Sequence, residues 1–413
     1  MNGELDVVTL LAEIADVGRD ERRGGYSRHV FDAAETRLRQ WFTGHALDLG
    51  LAVTPDGNGN LWAWWGSPGP GAVLTGSHLD SVPGGGAYDG PLGVASALVA
   101  VSSLKSAGSR PSRPFAVVVF AEEEGSRFGH ACLGSKLAAG QLNAGVARGL
   151  TGPDGVTFAD AALGAGVDPA GLGPVPWAAE ASCFVELHVE QGRGLIDLGA
   201  PVAVATTILG HARWRLDFRG EGNHAGTTRM TDRRDPVVAA ARTVLAAREL
   251  AADADAAGGG AGRAGGGAAR ATVGRAEFIP GGTNVIASRA TLWLDCRTDS
   301  DAALSALVAD IASAAREAAA AEGCSVSVTE ESALGRVDFD EGLRDTIAGL
   351  LPGAPLLATG AGHDAGVLAA LIPTAMLFVR NPSGVSHAPA EGASDDDCRA
   401  GAAALATVLR ELW

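Results

Sequence analysis

The 413-residue chain has no run of about eighteen apolar residues, the length a helix needs to cross a bilayer. Its first residues lack the basic start and unbroken apolar core of a signal peptide. Glu4, Asp6, Glu13 and Asp16 interrupt them, so residues 1–20 are expected to form an ordinary amphipathic helix. Cysteine is scarce: Cys132, Cys183, Cys296, Cys324 and Cys398 form no CxxC pair and are odd in number. Reduced, mostly buried thiols fit that pattern better than a disulfide framework or a zinc–thiolate site. Lysine is nearly absent, with only Lys105 and Lys136, and the abundance of Ala and Gly beside it reads as genomic codon bias more than function. Positive charge is also in deficit: 32 Lys and Arg against 48 Asp and Glu leave a net charge of −16. Such a chain repels phosphate backbones and anionic lipid heads, so neither nucleic acid nor a membrane is expected as a partner. A small-molecule partner and a cytoplasmic location are expected instead.

What is present is a globular composition, 46% hydrophobic and 19% charged, over a length that suggests two domains. Leu5–Val17, Phe31–Leu49 and Pro91–Leu104 have helical spacing, whereas Gly71–Thr75, Arg113–Ala121 and Ser182–Val189 read as buried strands. Continuous apolar strands belong to parallel sheets covered on both faces, and their alternation with helices predicts an α/β domain. Near Leu209 the texture changes. His211–Phe218 alternates with period two, and Asp235-Pro236 opens a helix to about Leu250. Ala251–Arg270 reads as an Ala/Gly-rich loop, followed by strands at Ala271–Ile279 and Ala287–Arg297, a helix at Asp301–Ala321 and a strand at Ser325–Thr329. The expected fold is a discontinuous α/β domain with a mixed, largely parallel sheet (residues 1–209 and 330–413). An α+β domain (residues 210–329) is inserted into it, and the chain closes on a helix capped by Ser394.

Four segments gather ligand-type side chains at the ends of expected strands: His78-Leu-Asp80 with Asp89, Glu122-Glu123-Glu124, Glu186-Leu-His188 with Gln191, and Ser386-His387 with Glu391. Open α/β sheets place their sites at the carboxyl ends of strands. Imidazole and carboxylate together suit Zn²⁺ or Mn²⁺. Taken alone, a His-x-Asp is usually a capping or surface pair, and three glutamates are usually a solvated face. Here the glutamates end an apolar strand, where a cluster of like charge is hard to explain without a cation.

The segments GSHLDSVPGGGAYDGPLGV, AEEEGSRFG, ELHVEQG, GNHAGTTRM, GGTNVIAS, GAGHDA and GVSHAPAE occur in this order. In this the chain resembles the amidase and carbamoylase branch of the M20 metallopeptidase family, from about Arg28 to the C-terminal helix. That branch contains N-carbamoyl-L-amino-acid hydrolases, allantoate amidohydrolases and β-ureidopropionases.

The resemblance implies two divalent ions per chain, Zn²⁺ first, with Mn²⁺ or Co²⁺ as alternatives. His78, Asp89 and His188 would hold one ion, and Asp89 would bridge to a second held by Glu124 and His387. Asp80 would hold the His78 ring and Glu123 would be the general base, an assignment of Glu123 and Glu124 that spacing alone cannot make. Two ions ~3.5–4 Å apart would lower the pKa of a water towards ~7. Gln191, His224, Asn284 and Arg297 would bind substrate, with His363 and Asp364 standing behind the ligands. Without the resemblance, Arg297 reads as a surface ion pair with Asp295 or Asp299, and His224 as a loop residue. His29, His45, His130 and His211 match no ligand position. The inserted domain would act as lid and as the interface of a homodimer, bringing His224 to the neighbouring subunit's site. The implied activity is hydrolysis of a carbamoyl or ureido C–N bond in a small carboxylate such as allantoate or an N-carbamoyl-L-amino acid. N-formyl or N-formimino amino acids, a dipeptide, and a metal-binding protein without catalysis are the alternatives.

Overall fold

In the computed structural model, which describes residues 5–257 and 269–413, the chain divides into two compact units. One comprises Met1–Thr206 and Asp338–Trp413, the other Thr207–Val337.

The larger unit is built on a mixed sheet. In spatial order its strands are Ala52–Pro55, Leu61–Trp65, Phe115–Phe120, Val73–His78, Cys183–Val189, Thr374–Val379, Val202–Ile208 and Val337–Asp338, with Leu356–Thr359 pairing off Val202–Ile208. The four central strands, Phe115–Phe120 to Thr374–Val379, run parallel. Every residue in them is buried, which is why they read as unbroken apolar runs. Helix Pro91–Ser106 is apolar on nearly all sides because it lies inside the core, packed by the sheet and by the C-terminal helix Asp395–Leu412. Ser394 caps that last helix by accepting the Asp397 N–H at 3.1 Å.

Register aligns the strand ends. His78 pairs with Phe120, Gly76 with Glu186, and His188 with Phe378. The carboxyl ends of the four central strands therefore stand level along one edge.

The smaller unit is an antiparallel sheet in the order Ser325–Leu334, Gly210–Arg219, Arg289–Thr298, Arg270–Ile279. Helices Pro236–Ala257 and Asp301–Ala321 pack on it. Ala240, Ala247 and Ala251 from the first and Leu304, Leu307, Ile311 and Ala315 from the second pack with Leu216, Phe218, Leu292 and Leu294.

The local differences from expectation have physical causes. The first helix covers only Val7–Glu13, while residues 1–4 lie outside the described residues. Helix Pro236–Ala257 runs into the stretch expected to be a loop, because its alanines favour helix. Residues 258–268 of that stretch lie outside the described residues. The strand from Ser325 continues to Leu334 through a bulge between Glu330 and Ser332 that breaks the period-two pattern. No helix among the described residues is long and apolar enough to cross a membrane.

Candidate metal centre

The level strand ends deliver side chains to one place. His78 is the last residue of its strand, His188 is next to last in its own, and the three glutamates follow Phe120 after a single residue, Ala121. Asp89 comes from the loop after Val73–His78. Gly90, which follows it at φ 85°, leaves no room for a side chain: a Cβ there would sit 2.6 Å from the His78 ring.

Asp89 stands between two groups of donors. Its Oδ1 lies 3.4 Å from His78 Nε2 and 3.2 Å from His188 Nε2, and its Oδ2 lies 3.4 Å from His387 Nε2. His387 Nε2 is 3.5 Å from Glu124 Oε2. His78, Asp89 and His188 thus form one possible ligand set and Asp89, Glu124 and His387 another. Two donors each 2.0–2.1 Å from a tetrahedral Zn²⁺ stand about 3.3–3.4 Å apart, so the spacing fits an ion. His78 Nε2 and His188 Nε2 are buried and make no hydrogen bond, while their Nδ1 atoms are fixed on the carbonyls of Asp80 (3.0 Å) and Val189 (2.8 Å). Imidazoles tethered at Nδ1 and orphaned at Nε2 are prepared ligands. The first set is closed from solvent, whereas His387 is exposed and held at φ 56°, a strained position for a histidine.

Electrostatics point the same way. Burial raises the Asp89 carboxyl, but His188, His387 and His78 outweigh it and hold the group well below the usual carboxylate range. Burial, assisted by neighbouring carboxylates, pushes Glu123 well above that range and Glu124 up to about 7. So many buried acids at one edge are costly without compensating positive charge.

The three glutamates have separate tasks. Glu122, at φ 54°, turns back so that its Oε1 accepts the N–H groups of Arg127 (2.9 Å) and Phe128 (2.6 Å), holding the loop. Glu123 Oε1 accepts the Cys132 thiol at 3.4 Å, leaving Oε2 3.8 Å from His78 Nε2. Glu124 faces His387. Asp80 differs from expectation: its carboxylate lies 3.7 Å from His78 Nδ1, and the ring is held by the Asp80 carbonyl instead. The carboxylate accepts the backbone N–H groups of Glu123 (3.2 Å) and Glu124 (3.1 Å).

Gln191 joins the group, its Nε2 donating to Asp89 Oδ2 at 2.8 Å and Ser386 Oγ at 3.1 Å while its buried Oε1 has no partner. His363 packs against His188, ring centroids 4.5 Å apart, with Nε2 orphaned. Asp364 is fully buried and bonded to Ser135 at 2.5 Å. Three residues gained no role from sequence reasoning. Glu186 accepts from Ser77 (2.8 Å) and Ala365 N (3.0 Å), Cys132 touches Glu123, and Glu391 accepts the N–H groups of Tyr88 (2.9 Å) and Asp89 (3.0 Å). Glu186 and Glu391 stood inside quoted motifs; Cys132 carried no signal.

In the smaller unit His224 and Asn284 come together, Ala225 N donating to the Asn284 carbonyl at 3.0 Å. His224 Nδ1 accepts from Gly226 N at 3.0 Å, so in the neutral ring Nε2 carries the proton, on an exposed side chain. Arg297 is ion-paired with Asp295, Nε to Oδ1 at 2.8 Å.

The pattern of Peptidase family M20/M25/M40 matches residues 74–411. An N-carbamoyl-L-amino acid amidohydrolase from Geobacillus stearothermophilus is 36% identical over 96% of this chain and 95% of its own length. An allantoate amidohydrolase from Escherichia coli (strain K12) is 32% identical over 94% and 93%. The crystal structure of an amidase of the hydantoinase/carbamoylase family from Burkholderia multivorans superposes with a TM-score of 0.85 at 29% identity, covering 99% of this chain and 98% of that one. The motifs at the strand ends and the match along nearly the whole chain lead to one conclusion: this chain belongs to peptidase family M20/M25/M40, in its branch of amidohydrolases acting on C–N bonds other than peptide bonds.

Proposed function

We propose that the chain is a binuclear metal amidohydrolase that removes a carbamoyl group from a small carboxylate substrate, an N-carbamoyl-L-amino acid or allantoate. The observation that carries the reading is the Asp89 carboxylate, with one oxygen facing two orphaned imidazoles and the other facing His387. His78, Asp89 and His188 would hold one divalent ion, and Asp89, Glu124 and His387 the second. Bound there, the ions supply Lewis-acid polarisation of the substrate carbonyl and acidify water.

The remaining chemistry belongs to the protein. Glu123 Oε1 is engaged by the Cys132 thiol, so Oε2 is the oxygen that takes the proton of the attacking water and returns it to the leaving nitrogen. Gln191 Oε1, buried without a partner, accepts an N–H of the ureido group. Arg297 binds the substrate carboxylate through its guanidinium fork, with Asp295 fixing the fork's orientation. His224 Nε2–H donates to the carbonyl oxygen as charge develops there.

Distances within the smaller unit support the reading of a homodimer. The segments bearing His224 and Asn284 join the sheet towards the Arg289 end of its strand, through the short ladder of Val285 with His224 and the bond from Gly220 N to the Ser288 carbonyl. Arg297 is eight residues along the strand Arg289–Thr298. At about 3.4 Å per residue that is roughly 27 Å, more than a small substrate spans. If all three contact one substrate, they come from two chains, and His224 acts in trans. Five unpaired thiols accord with the reducing cytoplasm.

The test is a substrate panel on metal-loaded protein: N-carbamoyl-L-amino acids, allantoate, N-formyl amino acids and dipeptides, read as ammonia and free amine. Turnover of a ureido substrate above the others is expected. Cleavage of dipeptides alone would overturn the reading.

A further inference from the structure

Glu391 lies outside both ligand sets, yet it is buried, 7% exposed, and its carboxylate reaches back across 302 residues of sequence to the loop that carries Asp89. Oε1 accepts two adjacent backbone donors, Tyr88 N at 2.9 Å and Asp89 N at 3.0 Å. Oε2 is 3.4 Å from Ser386 Oγ, and that hydroxyl is itself 3.3 Å from Asp89 Oδ2. Glu391 also closes the turn after His387, its own N–H donating to the Ala388 carbonyl at 3.0 Å. One side chain therefore fastens the backbone of Asp89 to the turn bearing His387.

The loop is shaped to receive it. A Cβ built on Gly86 would lie 2.1 Å from Glu391 Oε1, 2.2 Å from its carboxyl carbon and 2.5 Å from its Cβ. The last of these is not the end of a flexible chain, so the side chain at 391 and any side chain at 86 exclude each other. His387 gives this tether its importance, being exposed and in a strained backbone conformation. Strain of that kind persists only where surrounding contacts over-determine it.

We infer that Glu391 is a positioning residue for the second ion: by holding Asp89 and the His387 turn together it sets the separation of two of that ion's three ligands, and Gly86 exists to admit its carboxylate. The inference rests on the binuclear reading above. Two consequences distinguish it from general structural support. An uncharged acceptor of the same length serves as well, because both donors are backbone N–H groups on one oxygen. Disturbance at Gly86 reproduces loss of Glu391 although residue 391 is unchanged.

The experiment is calorimetric titration of metal-stripped protein with Mn²⁺ for the parent, Glu391→Gln, Glu391→Ala and Gly86→Ala, each checked for folding by circular dichroism. The parent takes up two ions. Glu391→Gln keeps both affinities, whereas Glu391→Ala and Gly86→Ala keep the first and weaken the second about 10–100-fold, the usual consequence of losing an outer partner of a ligand. Two ions held by Glu391→Ala with parental affinities would overturn the inference while leaving the binuclear centre standing. A Glu391→Gln variant that loses the second ion would overturn the claim that an acceptor suffices, and it remains decisive if the alanine variants do not fold. Uptake of fewer than two ions by the parent itself would remove the binuclear reading and this inference with it.

Discussion

Asp80 Oδ2 accepts the backbone N–H of Glu124 at 3.1 Å. Its other oxygen accepts the N–H of Glu123 at 3.2 Å, so one buried carboxylate orients both the candidate base and the candidate ligand beside it. Asp80→Ala frees that pair. The expected loss is about 10–100-fold in metal affinity or turnover, the range for groups that orient ligands. Mn²⁺ titration and kcat measured on the same preparation check it, and parental values for both would show that the loop is held without Asp80.

Glu123→Gln should keep its metals and its fold while kcat falls ~10²–10⁴-fold, since an amide fills the same space but cannot take a proton. Metal content and kcat decide it. Turnover at the parental rate would move the base elsewhere. Glu122 is the neighbour to examine then, although its Oε1 is already committed to two backbone N–H groups.

Arg297→Lys should raise KM for carboxylate substrates with little change in kcat, because an ammonium replaces a bidentate fork by a point charge. A loss of about 1.5–3 kcal/mol of charge-assisted hydrogen bonding corresponds to roughly a 10–150-fold rise. An unchanged KM would leave the guanidinium a structural role, such as its ion pair with Asp295, and none in substrate binding.

Mixing inactive His224→Ala with inactive Glu123→Gln subunits should regenerate partial activity, because some heterodimers then hold one site with both residues intact. Removal of a donor of this kind typically costs ~2.7–4 kcal/mol in the transition state, so the parent variants are readily distinguished from the mixture. Demonstrated subunit exchange without recovery would place His224 in its own chain's site or outside the reaction.

The buried strands were legible because both their faces are covered. Ala116 to Phe120 needs no alternation to be read, and Cys183–Val189 falls within one residue of its expected limits. Leu61–Trp65 and Val202–Ile208 passed unread although largely buried, since short apolar runs carry no period of their own. The strand from Ser325 was cut short where Glu330 and Glu331 follow, because an edge strand with both faces partly open does not alternate reliably. The ligand types were visible as motifs. What sequence could not supply were contacts made by backbone atoms: the His78 ring rests on a carbonyl, Asp80 on two N–H groups, and Glu391 on two more. None of these depends on the identity of the residue at its far end.

Asp89 is where the two ligand sets meet, so the most direct measurement is elemental analysis of the parent and of Asp89→Ala after gel filtration. The parent is expected to hold two divalent ions per chain, and Asp89→Ala is expected to have lost that pair together with its activity. Two tightly held ions in Asp89→Ala would contradict the bridging carboxylate.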